Sequence, residues 1–185
     1  MDQNLITTLR SGGLAIIPTD TIYGLVASAL NQSAVEHLRQ IRGKAEDKPL
    51  IILISQLADL KLFEINLAPA QMDQLTKLWP GPVSVILKAP SDKFAYLHRG
   101  TGTLALRLPR HQTLQDLLAK TGPLVAPSAN LPNQPPATTM AQARLYFGDK
   151  VDCYVDGGTL IGEPSTLVEL ATNGELKVLR GILKP

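Results

Sequence analysis

The chain has 185 residues, 44% hydrophobic and 18% charged, which fits one domain able to bury a core without disulfides or a structural metal. Its formal net charge of +2 is too slight to announce nucleic acid, but it permits a local basic cleft for an anionic ligand. Cys153 is the single cysteine, so an internal disulfide and thiolate metal sites are excluded.

Residues 1–10 carry an acid at Asp2 and no apolar centre, which argues against a signal peptide. Residues 14–17 are an apolar run closed by Pro18, the pattern of a buried strand. Ser33 to Glu36 reads as a capping box, and Val35, Leu38 and Ile41 carry the spacing of a helix that Gly43 ends. The continuous apolar run 50–54 predicts a strand buried on both faces. Residues 56–63 and 68–78 predict helices, the second stopped by Trp79-Pro80-Gly81-Pro82. Strands are expected at 83–87, 103–108 and 124–126, and helices at 113–120 and 139–147, before Gly122 and Gly148. The proline-rich stretch 132–136 reads as an ordered surface loop. Residues 168–171 and 175–179 flank Asn173-Gly174, a strong hairpin signal. The sum is a single α/β domain over residues 1–185. It has a twisted, mixed parallel and antiparallel sheet flanked by helices, with crossovers early and an antiparallel hairpin late. No apolar run is long enough to span a bilayer, and the sparing use of cysteine fits a cytoplasmic setting.

In open α/β sheets, ligands bind beyond the carboxyl ends of strands. Two polar strand exits, Pro18-Thr19-Asp20-Thr21 and Ala126-Pro127-Ser128-Ala129-Asn130, are expected to converge on one site. Taken alone, the first reads more readily as a turn whose side chains bond their own backbone. Tyr23 fits either core or cleft. Arg42, Lys44 and Lys48 form a basic loop that suits a polyphosphate, although Glu46 and Asp47 among them equally suit a solvated, self-neutralised loop. Arg107 interrupts an apolar strand. Period two puts it with Thr103 and Ala105, opposite Leu104, Leu106 and Leu108. A guanidinium there either faces water on an edge strand or meets an anion. Ser128 lacks the G-x-S-x-G setting of a nucleophile, and His37, His98 and His111 have no triad spacing. There is no P-loop, no G-x-G-x-x-G and no metal-ligand spacing, so a bound nucleotide would need another cradle. Ser165, Thr166 and Arg180 read equally as surface or site.

Together these segments resemble the YrdC family of L-threonylcarbamoyl-AMP synthases, from about residue 9 to residue 180. The resemblance rests on P-T-x-T-x-Y-G-L at 18–25, the basic loop at 42–49, Trp79-Pro80-Gly81-Pro82 and the Arg107 strand. Pro127-Ser128-Ala129-Asn130, Ser165-Thr166 and Leu179-Arg180-Gly181 complete it. It implies a basic concave cleft and a reaction joining L-threonine, bicarbonate or CO2, and ATP into threonylcarbamoyl-AMP and pyrophosphate. A partner transferase would then carry the group to tRNA. By position, Thr21, Arg107, Ser165 and the Ala126 backbone would hold threonine. Lys44, Lys48, Thr103, Ser128 and Arg180 would hold ATP, with Arg42 a further candidate and Asn130 supporting the turn. Mg2+ is expected on the ATP phosphates, and no residue is assigned as acid, base, nucleophile or metal ligand. The family's basic loop commonly reads K-x-R, where this chain has Arg42-Gly43-Lys44. Leu131-Pro132-Asn133 and Pro136 also depart from its pattern. The rival readings are a non-catalytic module for structured RNA and a relative acting on another carbamoyl or acyl substrate.

Overall fold

The computed structural model describes residues 2–43 and 50–183. The helices are α1 (Gln3–Arg10), α2 (Gln32–Arg42), α3 (Pro69–Leu78), α4 (Ala95–His98), α5 (Gln112–Thr121) and α6 (Met140–Phe147). The strands are β1 (Ala15–Pro18), β2 (Tyr23–Ser28), β3 (Ile51–Leu53), β4 (Val83–Lys88), β5 (Thr103–Arg107), β6 (Leu124–Val125), β7 (Cys153–Tyr154), β8 (Thr166–Leu170) and β9 (Leu176–Arg180). They form one sheet in the order β7-β1-β2-β6-β3-β5-β4-β8-β9.

Local chemistry sets several boundaries. The Asp2 carboxylate accepts the Asn4 amide at 2.9 Å and caps α1, a helix missed in the sequence. The capping box expected at Ser33 is not used. Asn31 lies two residues upstream, accepts the Ala34 amide at 3.1 Å and starts α2 there instead. Residues 57–63 form a 3-10 helix rather than an α-helix. The expectation of antiparallel pairing only late is also corrected. β1 turns straight back into β2, and β6 runs antiparallel to both β2 and β3. The parallel pairs are β1 with β7, β3 with β5, and β4 with β8. The closing hairpin joins β8 and β9 as expected, with Gly174 at φ 89° in its turn.

Alternation along the strands sorts the core into two layers. Leu14, Ile16, Leu25, Leu104 and Leu106 pack under α2, α3 and α6 through Val35, Leu38, Leu75 and Phe147. On the other face, Ala15, Ile17, Val26, Leu53 and Leu124 meet Leu5, Ile6 and Leu9 of α1 and Leu114, Leu117 and Leu118 of α5. Among the described residues, no helix is long and apolar enough to cross a membrane.

β5 lies between β3 and β4, so Arg107 is on an interior strand and the edge-strand alternative fails. Its neighbour Leu106 is fully buried in that same strand. Leu106→Ala should lower stability by about 2–5 kcal/mol, read as a shifted urea midpoint at unchanged m-value.

Candidate active site

Thr19 closes the β1–β2 turn. Its hydroxyl accepts the Thr21 and Ile22 amides, both at 3.2 Å, and donates to the Ile22 carbonyl at 2.7 Å. The local-turn reading therefore holds for Thr19, and Thr21 serves both the turn and the site: its hydroxyl lies 3.0 Å from that of Thr19 and accepts Arg107 Nη1 at 3.3 Å. The second exit is stitched to the first through the backbone. The Leu25 amide donates to Pro127 O at 3.0 Å, and the Ala129 amide donates to Tyr23 O at 2.9 Å. The two polar segments do converge.

A segment after β7 passes over them. Tyr23 is buried, and its hydroxyl donates to Gly158 O and accepts the Gly157 amide, each at 2.8 Å. Burial, with Asp156 beside it, pushes the phenol pKa up and favours the neutral donor, against the opposing effect of the Gly157 amide. A Cβ on Gly162 would collide with the Thr21 carbonyl, so only glycine lets this segment lie on the turn. It ends at Ser165, which is buried, with its hydroxyl 2.8 Å from that of Ser84 and its carbonyl accepting Arg180 Nη2 at 3.0 Å.

These elements enclose a cavity of about 120 Å3 lined by Thr21, Arg42, Arg107, Ala126, Ser128, Ser165 and Arg180, among others. Arg42 Nη2 donates to Ser128 Oγ at 3.3 Å, and Ser128 Oγ donates to Asn130 Oδ1 at 2.6 Å. Asn130 itself is outside this cavity. Its amide donates to Leu131 O and Gln134 O at 3.0 Å, ordering the turn, and it borders a small hollow with Arg42, Gly43 and Pro132. Thr103 is not brought in either. It sits at the opposite end of β5, roughly 13 Å from Arg107 at the usual rise per residue, and its hydroxyl lies 3.2 Å from that of Thr101. Lys44 and Lys48 lie outside the described residues. A groove of about 700 Å3 between α2 and α4 continues past Arg42, with Arg39, Tyr96 and Arg99 on its walls.

Arg107 is 4% exposed. Asp20 Oδ1 lies 2.9 Å from its Nη2, close enough to pair but without hydrogen-bond alignment. Nε is buried with no hydrogen-bond partner among the described residues. Burial pulls the guanidinium pKa below its ordinary value, Asp20 opposes that, and Arg180 adds to it. Such a group gains from an anion brought into the cavity it lines. Sequence reasoning gave no role to Asp20 or Ser84. Both carried a signal, since a buried arginine requires a counter-ion and Ser84 is the polar member of an apolar strand.

The family model for Sua5, YciO and YrdC proteins, described as telomere recombination, matches residues 7–181. The chain belongs to the Sua5/YciO/YrdC family. Within that family it is 34% identical over 165 residues to the threonylcarbamoyl-AMP synthase of Pyrococcus abyssi, covering 88% of this chain and 48% of that protein. It is 35% identical over 175 residues to the threonylcarbamoyl-AMP synthase of Thiobacillus denitrificans, covering 93% of this chain and 90% of the relative. The crystal structure of P. abyssi Sua5 complexed with L-threonine matches with a TM-score of 0.86 at 32% identity, over 95% of this chain and 52% of that one. This Sua5/YciO/YrdC chain thus spans about half the length of the P. abyssi relative.

Tyr23→Phe removes one hydroxyl and with it the hydrogen bonds to the Gly157 amide and the Gly158 carbonyl. The expected loss is about 1–3 kcal/mol in urea unfolding, with faster amide exchange at Gly157 and Gly158.

Proposed function

We propose that this chain is a threonylcarbamoyl-AMP synthase, with L-threonine held at Arg107 and ATP held past Arg42. The observation that carries the reading is the buried Arg107, which lines a cavity together with Thr21 and Ser165. A guanidinium fork suits a carboxylate, and hydroxyls suit the polar remainder of a small amino acid. At about 120 Å3, the cavity is smaller than the ~300–1,000 Å3 of pockets that enclose larger ligands. A nucleotide must therefore extend beyond it, and Arg42 borders both the cavity and the neighbouring hollows.

The chemistry asks for little beyond placement. The threonine amine adds to CO2 and releases a proton, giving a carbamate. A carbamate oxygen then attacks the α-phosphorus of ATP, the bond to the bridging oxygen breaks, and pyrophosphate leaves. No protein nucleophile takes part. Arg42, Ser128 and Arg180 would neutralise and orient phosphate oxygens, and Arg107 would hold the carbamate's parent in line. Mg2+ would arrive on the ATP phosphates. The product would pass to a transferase acting on tRNA in the cytoplasm.

Pyrophosphate release by the purified chain, with threonine and bicarbonate each added or withheld, tests this reading. Release that needs both is the expected result. Release that needs neither, or none at all from a folded chain with ATP bound, refutes it. Failure to bind ATP would favour the RNA-binding reading. Within the active chain, Arg107→Gln should raise the threonine KM by ~30-fold or more while the ATP KM changes little. Arg42→Ala should do the reverse, and equal effects of either variant on both substrates would undo the division of the site.

A further inference from the structure

The charge of the cavity is one-sided. Its described lining includes Arg42, Arg107 and Arg180 and no acid. Carboxylate and phosphate present much the same acceptor geometry to a guanidinium, so donor shape alone does not keep a triphosphate off Arg107. Charge has to make the distinction, and the three arginines are not equivalent in charge. Arg180 donates to a neutral carbonyl, that of Ser165. Arg107 instead faces Asp20, with their side chains only 5% and 12% exposed. Asp20 is absent from the cavity lining and reaches the site through Arg107.

We propose that Asp20 is a positioning residue that reserves Arg107 for the amino-acid carboxylate by cancelling the charge that would draw phosphate there. The proposal rests on the synthase reading above. An ion pair at contact distance has a field that falls away quickly, so a polyanion gains less at Arg107 than at Arg180. A zwitterion loses little by comparison, because its own ammonium balances its carboxylate and it needs donors more than net charge. Asp20 beside Nη2 and Thr21 accepting from Nη1 also hold the guanidinium in place on the cavity lining. One carboxylate behind the site thereby divides a wholly cationic lining into a subsite for a zwitterion and a subsite for phosphates.

Calorimetric titration of the full chain with L-threonine, with and without saturating inorganic pyrophosphate, tests this. In the unaltered chain, pyrophosphate should change threonine affinity by less than about twofold, since the two occupy separate subsites. In Asp20→Asn, which keeps the shape and removes the charge, pyrophosphate should weaken threonine binding by at least about tenfold. A merely structural Asp20 would lower Tm without making pyrophosphate a competitor. If Asp20→Asn does not fold, Asp20→Ser provides the same comparison. Competition of equal strength in the unaltered chain, or none in a folded variant, overturns the proposal. A folded, unaltered chain that binds no threonine is a separate result and overturns the synthase reading itself.

Discussion

A guanidinium buried in the middle of a nine-stranded sheet is the constraint around which this molecule is arranged. Arg107 ends β5, between β3 and β4, directly after the buried apolar residues Leu104, Ala105 and Leu106. Removing such a charge from water is tolerable only with compensation. Asp20 supplies a counter-charge and Thr21 supplies an acceptor, both from the turn between β1 and β2. The turn must therefore be held against the sheet, and much of the neighbouring structure does that. Thr19 locks the turn internally, β2 is bonded to the segment after β6, and a glycine-containing segment lies across Thr21.

The overlying segment explains why Tyr23 is fully buried yet polar. Its ring belongs to the larger core while its hydroxyl pins Gly157 and Gly158. The same chain continues to Ser165, where a hydroxyl pair with Ser84 ties β8's entry to β4. Polar atoms that would be costly in an aliphatic core thus meet one another along one wall of the cavity. On the proposed function, that wall is the amino-acid side. Arg42, at the end of α2, marks the direction in which a nucleotide leaves the small cavity.

Membership of the Sua5/YciO/YrdC family extends over residues 7–181, and with it the fold. The departures noted in the sequence have a local account at one point. Gly43 adopts φ 93°, and a Cβ there would lie 2.7 Å from Pro132 Cγ, so the proline packs directly against the glycine that follows α2. Pro132 is thereby accommodated by the glycine between Arg42 and Lys44.

The sequence by itself determined most of the elements, because hydrophobic period and Gly or Pro punctuation are local properties. It also marked the residues of chemical interest, since Arg107 in an apolar strand and hydroxyls at strand exits stand out without coordinates. Period two correctly placed Leu104, Leu106 and Leu108 in the larger core, opposite Arg107. Short elements such as β7 and the start of α2 escaped, because two-residue pairing and the choice between Asn31 and Ser33 depend on what packs nearby. Only the tertiary structure decided that β5 is interior and that the exits at 19–21 and 126–128 meet. It also decided which acid accompanies Arg107. Asp20 and Arg107 are 87 positions apart, and no local rule relates residues whose contact is created by sheet order. Propensity and pattern act over a few residues, whereas compensation of a buried charge is settled by whatever the folded chain brings within a few ångströms.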